Sequence, residues 1–157
     1  MSEIHYGRGY VYSIQYHLVW CVKYRHDVLY GQVDIDVKQF LKQIADDNNI
    51  KIMEIESDKN HIHLLIECTP QHYIPSIVKA FKGVSARLLL KKHPELKQLL
   101  WGEHLWNPSY FVATVSENTE EQIRKYIQNQ KKKRGESVCY NIWLINLESI
   151  LIKNKKY

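Results

Sequence analysis

The sequence is poor in the residues that mark unusual chain classes. Glycine and proline number six and four in 157 residues. That is too few for a collagen-like or linker-like chain and argues against long disordered stretches. Cysteine occurs three times, at Cys21, Cys68 and Cys139. An odd, widely spaced set with no CxxC pair speaks against a disulfide framework or a cysteine-based zinc site. Cys68 closes an apolar run and reads as a small buried hydrophobe. No apolar run approaches the roughly 18 residues of a membrane span. The opening MSEIHYGRGY lacks the basic-then-apolar order of a signal peptide. A cytoplasmic protein with no membrane partner is expected.

What is present is ordinary globular composition, 45% hydrophobic and 25% charged. A chain of this length buries roughly two thirds of its unfolded surface and needs no metal or disulfide to fold. One domain over 1–157 is expected, with a C-terminal extension at 136–157. Lys plus Arg is 22 against 17 for Asp plus Glu, a net charge of +5. That balance permits a nucleic-acid partner. The eleven tyrosines and four tryptophans offer stacking surfaces, although any one of them is more simply a core residue.

Residues 10–24, YVYSIQYHLVWCVKY, alternate and predict a strand, with Tyr16, Leu18 and Trp20 on one face and Gln15 and His17 on the other. A helix follows over 33–48, with Val37, Leu41 and Ile44 inward and Asn48-Asn49 as its stop. Residues 50–56 and 61–68 predict two strands joined through the polar turn SDKN, a hairpin. A helix over 74–92 carries Ile77, Phe81, Val84 and Leu88 as its stripe. A helical turn near 95–101 and a strand at 109–115 come next. A helix over 119–134 opens with a capping-box pattern, Thr119 to Gln122, and stops at Gly135. A last helical pattern begins at 142. The order β-α-β-β-α-β predicts an α+β, ferredoxin-like (RRM-like) antiparallel sheet with an added C-terminal helix that bears Tyr126. In that topology the first and third strands are central. One sheet face packs on the first two helices, and the other is left for a ligand, a partner or the last helix.

His61 and His63 leave the same face of the third strand, and Ile62, Leu64 and Ile66 leave the opposite one. Two imidazoles so placed can ligate one metal ion. Eight histidines in 157 residues produce such a triplet by chance about 0.4 times per chain, so the triplet alone leaves solvated or hydrogen-bonded histidines as an equal reading. Tyr126 and Gln130 stack at i, i+4 on the last core helix. That pair fits either an amphipathic helix with an interfacial tyrosine or a nucleophile beside a ligand oxygen.

Taken in order, YHLVWCVKYR, HIHLLI, LWNPSYFVATV and IRKYIQNQ resemble the single-tyrosine HUH transposases, the small TnpA-type enzymes of insertion sequences that move as single-stranded DNA. The resemblance spans roughly residues 10–135. It implies that His61 and His63 are metal ligands, that Gln130 is the third ligand and that Tyr126 is the nucleophile. It also implies Mg²⁺ or Mn²⁺ as cofactor, no nucleotide cofactor, a homodimer, and a substrate of single-stranded DNA with hairpin ends, at the nucleoid of a prokaryotic cell. Many members carry an acidic residue where this chain has Asn60, so a bond from that position to the first histidine is expected to tune it less. His17 is expected on the same sheet face as His61 and His63, in a hydrogen-bonding role.

Lys79, Lys82 and Arg87 project from the 74–92 helix, with small Gly83 and Ala86 between them, as candidate DNA contacts. Lys131 and Lys132 follow the tyrosine helix and are further candidates, or else complement its dipole. Two other functional classes fit parts of the pattern: a non-catalytic single-stranded nucleic-acid-binding module, and a small metal-dependent hydrolase. Neither needs a tyrosine nucleophile.

Overall fold

The computed structural model describes residues 4–100, 102, 104–115 and 124. Its strands are β1 (His5–Gly7), β2 (Tyr10–Tyr12), β3 (Ile14–Cys21), β4 (Lys51–Asp58), β5 (His61–Cys68) and β6 (Phe111–Val115). Its helices are α1 (Gly31–Asp47), α2 (Ile74–Lys92) and the short α3 (Leu96–Leu99). The main sheet runs β4-β5-β3-β6, antiparallel throughout, with β3 and β5 central. From β3 onward this is the expected ferredoxin-like order.

The expected strand over 10–24 is in fact two strands and a turn. Tyr10–Tyr12 pairs with His5–Gly7 in a separate hairpin, closed by Gly9 at a φ of 89° that L side chains rarely adopt. Only Ile14–Cys21 joins the main sheet. Beyond it Tyr24 and Arg25 take φ of 56° and 53° and turn the chain away. Alternation continues through this stretch, but pairing partners decide where a strand ends.

The helix-facing side of the sheet is apolar. Leu18, Trp20, Ile62, Leu64 and Ile66 are all buried against Val37, Leu41 and Ile44 of α1 and Ile77 and Phe81 of α2. Helix α1 starts two residues earlier than expected and stops where Asn49 turns left-handed at φ 54°. Asn48 also donates its side-chain amide to the Ile44 carbonyl at 2.7 Å. Helix α2 has the expected bounds, yet its stripe is rotated: Ile77, Val78, Phe81, Ser85 and Leu89 are buried, while Val84 and Leu88 are half-buried. The rotation brings Ser85 to the indole of Trp106, which donates to its Oγ at 3.0 Å. Trp20 lies between Phe81, stacked at 6.3 Å, and Trp106, edge-on at 6.0 Å. Helices α1 and α2 are clamped at the ends of the layer by Asp36, which accepts from His93 at 2.7 Å and Lys92 at 3.0 Å. No helix among the described residues is long and apolar enough to cross a membrane.

Candidate functional site

The second sheet face is polar and buried. The antiparallel register sets Val19 opposite His63 and Cys21 opposite His61 on β3 and β5. Two-residue alternation therefore places Gln15, His17, Val19 and Cys21 on the same face as His61, His63, Leu65 and Glu67. Of these, Gln15, His17, His61, His63, Leu65 and Glu67 are all 5% exposed or less. The histidines are thus not solvated, as one reading of the triplet allowed.

His61 and His63 lie with ring centroids 5.0 Å apart at 75°. Each uses its Nδ1 on a neighbour. His61 Nδ1 meets Asn60 Oδ1 at 2.9 Å, and His63 Nδ1 meets His17 Nε2 at 3.2 Å. The Nε2 atoms of both rings are buried, and His61 Nε2 has no hydrogen-bond partner among the described residues. Burial holds His17 down to about 4 and lowers His61, where Asp58 opposes the effect and Arg25 adds to it. It pushes His63 well below the ordinary histidine range, helped by the nearby His61 and His17. All three imidazoles are therefore neutral at pH 7, the form in which a ring nitrogen binds a cation. Paired neutral imidazoles with a buried, unsatisfied Nε2 fit a divalent ion. Among the described residues, however, no third His, Cys, Asp or Glu completes a cluster. Tyr126, Gln130, Lys131 and Lys132 lie outside the described residues, as do the tail from 142 and the 119–134 helix apart from Arg124, which is helical.

Of the candidate DNA contacts on α2, Lys79 and Arg87 are exposed and Lys82 is not. Lys82 Nζ donates to three backbone carbonyls, Asn107 at 2.6 Å, Pro108 at 2.9 Å and Ser109 at 3.2 Å. An ammonium has three donors, so this lysine is fully used inside the fold, and burial lowers its pKa. In this fold Lys82, expected as a phosphate contact, fastens the loop that leads into β6. The same loop is tied to the end of β3 by Lys23 N to Leu105 O at 2.8 Å and Asn107 N to Cys21 O at 2.9 Å. This explains the LWNPSY segment structurally. Trp106 plugs the core, and the three following carbonyls crown Lys82.

Sequence reasoning missed Asp27. Asn60 donates its side-chain amide to Asp27 Oδ1 at 2.8 Å, so the residue before the first histidine is itself held. The signal was half visible, because Asn60 drew notice. Its partner lies 33 residues away, beyond any local pattern.

The family described as "Transposase IS200 like" matches residues 10–130. The chain is 53% identical over 131 residues to the ISDra2 transposase TnpA of Deinococcus radiodurans, covering 83% of this chain and 94% of that one. It is 32% identical over 129 residues to the transposase for insertion sequence element IS200 of Salmonella typhimurium, covering 81% and 84%. A crystal structure of a Deinococcus radiodurans protein superposes with a TM-score of 0.69 at 51% identity, covering 80% of this chain and 97% of that one. A REP-associated tyrosine transposase bound to a REP hairpin has a TM-score of 0.60 at 17% identity, covering 86% and 75%, a likeness of fold.

Proposed function

Since the chain belongs to the IS200-like transposase family, we propose that it cleaves and rejoins single-stranded DNA at the ends of an insertion sequence, with Tyr126 as nucleophile. The observation that carries this reading is the buried, neutral His61–His63 pair with its Nε2 atoms turned away from both Nδ1 partners. His61 Nε2 is buried without a hydrogen-bond partner among the described residues, and a bound cation would use a lone pair whose burial otherwise costs about 1–3 kcal/mol.

In the proposed reaction the Tyr126 hydroxyl oxygen attacks the scissile phosphorus in line. A phosphorus–tyrosyl oxygen bond forms and the bond to the 3′ oxygen breaks. The products are a 5′-phosphotyrosine and a free 3′-OH, which takes up the proton. A later 3′-OH reverses the chemistry on the stored ester, so rejoining needs no nucleotide cofactor. His61 and His63, with Gln130, would hold Mg²⁺ or Mn²⁺, whose charge counters that of the phosphate oxygens. Imidazole donors suit Mn²⁺ better than Mg²⁺, which prefers oxygen. Lys79, Arg87, Lys131 and Lys132 would meet backbone phosphates. A hairpin beside the cleavage site is the proposed recognition element, and a homodimer the working assembly.

The test is a covalent-adduct assay. Single-stranded oligonucleotides tiling both flanks of the gene are incubated with protein and Mn²⁺ or Mg²⁺ and run on a denaturing gel beside Tyr126→Phe. A metal-dependent adduct absent from the variant is expected. Cleavage without an adduct would favour a hydrolase, and tight binding without cleavage a binding module; either sinks the proposal.

A further inference from the structure

We propose that Asp27 and Asn60 form a positioning relay that holds His61 as its Nδ1–H tautomer, keeping Nε2 available to a divalent cation. The inference rests on the metal reading of His61 given above, and its argument is one of hydrogen-bond polarity. A carboxylate only accepts. Asp27 Oδ1, 2.8 Å from the Asn60 side chain, therefore demands the amide NH₂ end. That leaves the amide oxygen toward His61 Nδ1 at 2.9 Å. An amide oxygen also only accepts, so Nδ1 must carry the hydrogen. A neutral imidazole has one ring hydrogen, and Nε2 is left with its lone pair. That atom is buried and has no hydrogen-bond partner among the described residues.

Asn60 alone would not make this choice. Its amide can turn over and present NH₂ to Nδ1, which moves the ring hydrogen to Nε2 and closes the metal-binding lone pair. Asp27 removes that option by a wrong-way penalty on the flipped amide. The backbone around the relay is built to hold it. Asn60 O accepts from Val22 N at 2.7 Å, and Lys59 O accepts from Val28 N at 2.9 Å and Leu29 N at 2.8 Å. The 22–29 segment is thus bound to the β4–β5 turn on both sides of Asp27. The segment reaches that place through Tyr24 and Arg25 at φ of 56° and 53°. Consecutive non-glycine residues in this region are strained and persist only where the surroundings over-determine them.

The test uses the full chain. Ring ¹⁵N shifts of His61 are read by NMR in metal-free protein, and Mn²⁺ affinity is read by calorimetry. The parent should show Nδ1–H at His61. Asp27→Ala, a change at an exposed residue, should shift His61 toward the Nε2–H form and weaken Mn²⁺ binding about 10-fold. The exchanged pair Asp27→Asn with Asn60→Asp reverses the 27–60 hydrogen bond but sets a carboxylate, which only accepts, against His61 Nδ1–H, and should restore both readouts. An Nε2–H parent, or an Asp27→Ala protein with unchanged tautomer and affinity, overturns the relay. A parent that shows Nδ1–H but binds no Mn²⁺ supports the relay and overturns the metal reading beneath it.

Discussion

His17 is buried on the polar sheet face, and burial holds its imidazole down to about 4, against the ordinary 6.5. In the window between, the unfolded chain takes up a proton here that the folded chain excludes. Stability at this residue is therefore complete above about pH 6.5 and is lost as pH falls toward 4. At about 1.4 kcal/mol per pH unit, that window is worth roughly 3 kcal/mol. His61 and His63 shift in the same direction and steepen the loss. Urea unfolding midpoints measured with chelator from pH 7 to pH 4 should fall steadily. His17→Asn should flatten that slope, and an unchanged slope would mean His17 is not the titrating group. Protonation would also remove the lone pairs proposed to hold the cation, so under that proposal Mn²⁺ affinity should drop as pH falls.

The clearest division of labour between elements lies on α2. One side of the helix carries Lys82, whose ammonium holds three carbonyls of the 107–109 loop. The outer side carries exposed Lys79 and Arg87. Lys82→Met should leave those carbonyls without their cation and cost about 1–3 kcal/mol of unfolding free energy in a denaturant titration. Lys79→Ala and Arg87→Ala should leave stability within about 0.5 kcal/mol. If they meet phosphates, each should weaken single-stranded DNA binding and lower the salt slope by about 1. Equal stability loss at all three positions would contradict this assignment. At the other side of α2, Phe81 is fully buried against Trp20, and Phe81→Ala should cost about 3–5 kcal/mol.

Across the whole molecule two acid-sensitive devices work in separate pH ranges. The first is His17 on the buried histidine face, which responds between about 6.5 and 4. The second is Asp36, which ties α1 to the end of α2. Hydrogen bonds from Lys92, Gln32 and His93 depress its carboxyl from 3.8 to about 2. A depressed carboxylate contributes stability above its unfolded pKa and loses it as pH falls through the folded one. This loss therefore lies between about 3.8 and 2, below the His17 window. Asp36→Asn should be less stable than the parent at pH 7. It should also show a flatter stability profile below pH 4 by thermal melts, while its behaviour between pH 6.5 and 4 stays that of the parent.

Periodicity was enough to read the ferredoxin-like order, the bounds of α2 and β5, and the shared face of His61 and His63. Each depends on spacing within one element, and spacing is local. The family was legible from the order of four short segments. What the sequence could not decide was anything carried by contacts between distant residues. Alternation ran on through residues 10–24, while strand pairing cut it at Ser13 and Cys21. The apolar stripe of α2 was readable as a stripe, but its rotation depended on Trp106 reaching Ser85. Lys82 looked like any other basic residue until the 107–109 carbonyls were folded onto it. Asp27 carried no signal of its own beyond the notice drawn by Asn60, since its role exists only because the 22–29 segment is bound to the β4–β5 turn. Element types follow from short-range sterics and burial pattern. The polarity of a histidine, and the freedom of a lysine to meet a phosphate, follow from which group the tertiary structure sets opposite.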